Sequence, residues 1–198
     1  NIEEWSKYPF CEQTQKEINV LVQDILPFIN EVPVFVAGGI GRGEVILKFL
    51  QLGASGCQIG TRFVCAEESI AHKSFKQTFI KSEARNAQIS VKLDDRFPVI
   101  PVRAIENNAT KEFINEQKKL LNLIENKKIS LRDAQLAIEH FWAGSLKNAV
   151  LNGDINNGSL MAGQSVSLVK EIQTVNEIFK ELLSQIESQI NQEKINYA

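Results

Sequence analysis

A short apolar run, Val34-Phe35-Val36-Ala37, stops on two glycines, Gly38 and Gly39, and the chain then turns amphipathic over residues 42–52. The same build returns one helix later, where Cys57-Gln58-Ile59 stops on Gly60 and Thr61. A continuous apolar run of this length reads as a strand in a parallel sheet, buried on both faces. Strand, turn and helix repeated in this order imply βα units. The two strands, 34–37 and 57–59, are therefore expected side by side and parallel, joined by a right-handed crossover. Glycine at a strand end tolerates φ > 0 and lets a ligand approach the backbone. The helix that follows offers free N–H groups and the positive end of its dipole. In (β/α)8 barrels the loops after the last two strands commonly hold a phosphate in this way. Gly38, Gly39, Gly60 and Thr61 are the candidate donors. A clean G-x-G-x-x-G is absent, and no acidic residue ends the next strand at the required spacing, which disfavours a dinucleotide-binding unit.

The bulk of the sequence bounds the rest. At 198 residues and 43% hydrophobic the chain suits one sizeable core with a small accessory part. A formal charge of −2 gives no large positive field, so neither nucleic acid nor an anionic membrane is an expected partner. No apolar stretch approaches the ~20 residues of a membrane span. No signal peptide is visible, and a cytoplasmic location is expected. The cysteines Cys11, Cys57 and Cys65 are odd in number and lack a C-x-x-C pair, against a disulfide framework or a zinc site. Cys57 and Cys65, in apolar surroundings, read as buried inert thiols. No metal is expected. The chain opens at Asn1 without an initiator Met, which reads as a fragment or a processed product.

Local signals place the other elements. Thr14 and Glu17 fit a capping box before an apolar helical repeat at Ile18, Leu21, Val22, Ile25 and Ile29, which Pro27 divides. Gly53 sits where a helix C′ glycine belongs. Residues 68–81 read as a helix with Phe75 and Phe79 in line. "AQISVKL" and "VIPVRAI" read as short strands, followed by a helix capped by Thr110 and another capped by Ser130, with Gly144 a candidate break. The Gly/Asn/Ser-rich stretch from Asn152 to Val169 reads as a long functional loop. A second capping box, Thr174 and Glu177, starts a final helix with Val175, Ile178, Phe179, Leu182, Leu183 and Ile186 on its face.

The stretch "PVFVAGGIGRGEVILKFLQLGASGCQIGTRFVCAEESIAH" resembles the last two βα units of the nitronate monooxygenase family, formerly 2-nitropropane dioxygenases, which also contains the flavin-dependent enoyl-acyl-carrier-protein reductase II enzymes. "PVRAIENNATKEF", "NAVLNGDINNGSLMAGQSVSLV" and the closing helix are similar too, in family order, over residues 33–183. The resemblance implies an α/β fold, the C-terminal part of a (β/α)8 barrel with an inserted, mainly helical second domain. Residues 1–82 would hold the last βα units, 83–158 the insertion, and 159–198 a flavin-side loop and closing helix. It implies noncovalent FMN, with Gly38, Gly39, Gly60 and Thr61 at its phosphate and Met161 and Gln164 on the loop that returns toward the flavin. The activity implied is oxidation of nitronates with O2. The runner-up is enoyl-acyl-carrier-protein reduction with NAD(P)H as co-substrate. A non-catalytic fragment is the reading from another class. Expected partners are a small-molecule substrate, nitronate or enoyl thioester, and the N-terminal half of the barrel. The resemblance also admits a homodimer.

The catalytic base expected from the family, a His in an "AGGH"-like motif, has no counterpart here, so no catalytic residue is assigned. His72 and His140 read as structural, because a base must reach the substrate's proton. Asp94 and Asp95 read as a solvated turn, and Asp154 as a turn or cap in its loop. Arg62 has two readings, a phosphate clamp or the partner of a structural carboxylate.

Overall fold

The computed structural model describes residues 18–29 and 31–196; the first capping box and Cys11 lie outside them. The chain is α/β and divides into two compact units. One comprises Asn1–Ile59 with Asn176–Ala198, the other Gly60–Val175.

In the first unit, helix α1 (Ile18–Ile25) passes into a 3-10 turn, Leu26–Phe28, at Pro27, where the proline divides the apolar repeat as expected. Strand β1 (Phe35–Ala37), helix α2 (Gly43–Gln51) and strand β2 (Gly56–Gln58) follow. The strands pair in parallel, Phe35 with Gly56, Val36 with Cys57 and Ala37 with Gln58. Gly53, at φ +103°, ends α2, and the Ala54 N–H returns to the Phe49 carbonyl at 3.0 Å. The core is Val22, Leu26, Val36, Ile40, Phe49 and Ala54, so α1 and α2 cover the Val36 side of the sheet. Burial on both faces, expected from the apolar run, is not found among the described residues. Val36 is 3% exposed but Phe35 is 65% exposed. Phe35 lies across the bare backbone of Gly56, where a Cβ would come 2.6 Å from its ring.

The last helix crosses the point where the units divide, spanning Val175–Asn196. Its residues in the first unit pack on the start of α2. A Cβ at Gly43 would overlap the Leu182 carbonyl oxygen, and the Gly43 N–H donates to Gln185 Oε1 at 2.6 Å. Ile178 and Leu182 are buried, whereas Phe179 and Leu183, placed on the same apolar face by the sequence, are exposed.

The second unit holds α3 (Thr61–Val64), α4 (Lys73–Ile80), β3 (Ala87–Ile89), β4 (Arg103–Ile105), α5 (Asn108–Glu125), α6 (Leu131–Asn152) and β5 (Leu160–Met161). Helix α7 is the last helix, Val175–Asn196. The sheet order is β3-β4-β5, antiparallel throughout. Strand β5 falls in the stretch read as loop; its two residues carry no periodic signal, and pairing with β4 creates the strand. One core gathers Phe75, Phe79, Ile105, Leu160 and Val166, and another Phe97, Phe113, Leu120 and Ile138 between α5 and α6. Three local expectations are corrected. Asn107 caps α5, and Thr110 is the returning partner of that capping box. Helix α6 runs through Gly144, whose Cβ position is open, so the glycine costs propensity without breaking the helix. Helix α4 starts only at Lys73, because the His72 Nδ1 caps it by accepting from Ser74 N–H at 3.1 Å. Ser130 caps α6 as expected, its hydroxyl accepting from Asp133 N–H. Among the described residues no helix is long and apolar enough to cross a membrane.

Candidate functional site

Gly38 and Gly39 leave the C-terminal end of β1 at φ +109° and +70°, the left-handed region in which a side chain strains the backbone. A Cβ built on Gly39 meets nothing within 4 Å, and one on Gly38 meets only Ile18 Cδ1 at 3.7 Å. The parallel register sets the end of β2, at Gln58, beside the end of β1, at Ala37. Helix α2 begins later than the glycines, at Gly43, and its first N–H is taken by Gln185. Among the described residues of the first unit, the exposed Gly38–Gly39 backbone is the candidate donor surface.

In the second unit Gly60 is exposed, at φ −97°, again with open space where a Cβ would stand. The helix it starts is a single turn, so its dipole contributes little; donor capacity falls to the backbone and the Thr61 hydroxyl. Thr61 Oγ1 accepts from Gly163 N–H at 2.9 Å. This bond unites residues a hundred positions apart in the sequence and joins Thr61 to the segment carrying Met161 and Gln164. Met161 is half-buried and held opposite Ala104 by the β4–β5 pairing. Ala162 N–H donates to the Arg103 carbonyl at 3.1 Å, and exposed Gln164 opens a 3-10 turn, Gln164–Leu168. The chemistry on offer is recognition of an anion by backbone N–H groups and a hydroxyl, with glycines giving the ligand close approach.

The other candidates sort clearly. Arg62 is 6% exposed and donates to Gln173 Oε1 at 3.1 Å, which turns its guanidinium into the protein. Burial pushes the Cys65 thiol up to about 12, in line with the expected buried, inert thiol, whereas Cys57 is only half-buried, and that partial burial raises its thiol. The His72 ring lies against Gly153, where a Cβ would overlap it, and its Nδ1 is engaged in capping. His140 is exposed on α6. Hydrogen bonds from the Arg96 side chain and backbone hold the Asp94 carboxyl at about 2, in the expected surface turn. Asp154 Oδ1 accepts from the Asn156 and Asn157 N–H groups, which closes its loop and keeps its pKa low. No metal-binding cluster occurs among the described residues.

Two polar anchors escape a reading of the sequence. Lys76, 6% exposed, donates to the Ala66, Glu67 and Ser69 carbonyls. Gln117 is fully buried and accepts from Leu93 N–H while donating to the Val91 carbonyl, each at 2.9 Å. The one available signal was their position: Lys76 lies three residues before buried Phe79, and Gln117 four residues after buried Phe113 on the apolar face of its helix.

Comparison with known proteins adds the following. The family described as Nitronate monooxygenase matches residues 9–185. A probable nitronate monooxygenase of Staphylococcus saprophyticus is 29% identical over 133 residues, 63% of this chain and 36% of that protein. One of Staphylococcus haemolyticus is 28% identical, over 81% of this chain and 46% of that protein. The chain thus spans less than half the length of these relatives. FabK from Thermotoga maritima superposes with a TM-score of 0.71 at 29% identity, covering 91% of this chain and 52% of FabK. Nitroalkane oxidase from Streptomyces ansochromogenes shares the fold, with a TM-score of 0.61 at 23% identity over 88% of this chain and 45% of the oxidase.

Proposed function

Because the chain belongs to the nitronate monooxygenase family, we propose that it supplies the FMN-phosphate cradle of an oxidoreductase that oxidises nitronates with O2. The observation that carries this reading is the open backbone at Gly39 and Gly60, where the space a side chain would fill is free. In this reading the N–H groups of Gly38, Gly39 and Gly60 and the Thr61 hydroxyl hold the phosphate. FMN, when bound, would accept electrons from the nitronate and O2 would reoxidise it, the products being a carbonyl compound and nitrite. The chain's own part is to bind and orient. The glycines let the anion reach the backbone, and Met161 and Gln164 border the flavin from the segment that Thr61 holds.

The proposed architecture is the C-terminal part of a (β/α)8 barrel, with residues 83–158 as the inserted domain. Support comes from the parallel β1–β2 pair and from Phe35, which that sheet leaves 65% exposed. The N-terminal half of the barrel is the proposed cover and the proposed source of the catalytic base. The chain should therefore bind 8-anilinonaphthalene-1-sulfonate strongly when produced alone and weakly when joined to that half.

A second reading, enoyl thioester reduction with NAD(P)H, is favoured by the likeness to FabK at 29% identity. The test is turnover by the complete flavoprotein. Nitronate with O2 yielding nitrite supports the first reading; NADH with an enoyl thioester yielding the saturated product, without nitrite formation, replaces it with the second.

A further inference from the structure

We infer that Thr61 is a positioning residue whose hydroxyl couples occupancy of the phosphate site to the order of the 161–164 segment; the inference rests on the flavin reading above. A threonine hydroxyl has two acceptor lone pairs and one proton. Gly163 N–H uses an acceptor site on Thr61 Oγ1 at 2.9 Å. The proton has no acceptor among the described residues. It is available to an anion, and a hydroxyl that already accepts a hydrogen bond is a better donor for the next. A phosphate oxygen taking the Thr61 proton thus tightens the hold on Gly163, and that hold tightens the phosphate by the same free energy.

Gly163 is the link that this hold controls. Before it, Met161 is fixed by pairing with Ala104, and Ala162 by its bond to the Arg103 carbonyl. After it, the 3-10 turn is closed by Val166 N–H donating to the Gly163 carbonyl at 3.0 Å. Thr61 is the side chain that clasps the joint between these two fixed stretches. Loading the phosphate therefore orders the wall bearing Met161 and Gln164 before substrate arrives.

The experiment is amide hydrogen exchange at Gly163 in the holoenzyme, the flavin-stripped protein and the stripped protein with inorganic phosphate. It is run on wild type, Thr61→Ser and Thr61→Val, alongside affinities for FMN and for riboflavin, which lacks the phosphate. In wild type and Thr61→Ser, FMN or inorganic phosphate should slow Gly163 exchange roughly 2- to 10-fold, the range for one net hydrogen bond. In Thr61→Val exchange should be fast in every state, with FMN affinity reduced by a similar factor and riboflavin affinity unchanged. Gly163 exchange that ignores FMN, in a wild-type protein that binds FMN tightly, overturns the coupling and leaves the flavin reading standing. Wild-type protein that does not bind FMN overturns both. If Thr61→Val fails to fold, the wild-type and Thr61→Ser comparison decides alone.

Discussion

Adding one methyl group at Gly60 separates ligand chemistry from fold stability. Gly60 lies at φ −97°, a conformation alanine adopts without strain, and its Cβ would meet no protein atom within 4 Å. Gly60→Ala should thus leave stability unchanged or raise it by about 0.4–1 kcal/mol through the unfolded chain. If a phosphate rests on this backbone, the methyl group displaces it from the Gly60 N–H. A hydrogen bond to a charged group contributes ~1.5–3 kcal/mol, so FMN should bind roughly 10- to 150-fold more weakly. Riboflavin affinity should not change. Gly39 is the less clean site, since alanine at φ +70° adds about 1–2 kcal/mol of backbone strain to any ligand effect. The assay is flavin-fluorescence titration of wild type and Gly60→Ala with FMN and with riboflavin, alongside a denaturant melt. Unchanged FMN affinity in a stable Gly60→Ala protein would refute the placement of the phosphate.

Other consequences follow from the packing and the ionisable groups. Gly43→Ala should destabilise by about 1–3 kcal/mol, because its methyl overlaps the Leu182 carbonyl and crowds Gln185. Gly144→Ala, in open space on α6, should stabilise by about 0.5–1 kcal/mol; denaturant midpoints check both. With its thiol near 12, Cys65 should resist iodoacetamide at pH 8 until the protein unfolds; rapid native labelling would contradict its burial. Hydrogen bonds from Lys48, Gln189 and Gln51 lower the Glu193 carboxyl to about 2. Its stabilising effect is then complete above the usual glutamate range and is lost as pH falls from there through about 2. Carboxyl NMR should show this low midpoint, and Lys48→Met should raise it.

What the sequence revealed, and what it hid, follows the range of the interactions. The β1–β2 unit was legible because strand, glycine turn and helix are local, and its parallel pairing appears as expected. The positive φ at Gly38 and Gly39 was legible because only glycine accepts it cheaply. The Ser130 cap was legible for the same reason of locality, although at α5 the neighbouring Asn107 took the cap from Thr110. Strand β5 was hidden, since two residues become a strand only through β4. The exposed Phe35 face was misread because periodicity reports what a strand can bury and not what covers it. The Thr61–Gly163 bond was out of reach, for no local pattern ties residues so far apart. Arg62 had open readings until burial against Gln173 fixed its direction.

The most direct measurement is a crystal structure of the complete, flavin-loaded protein. The account predicts FMN phosphate oxygens about 3 Å from the Gly39 and Gly60 N–H groups and from Thr61 Oγ1. A phosphate bound by other residues, with the Gly39 and Gly60 backbones facing only water, would contradict it.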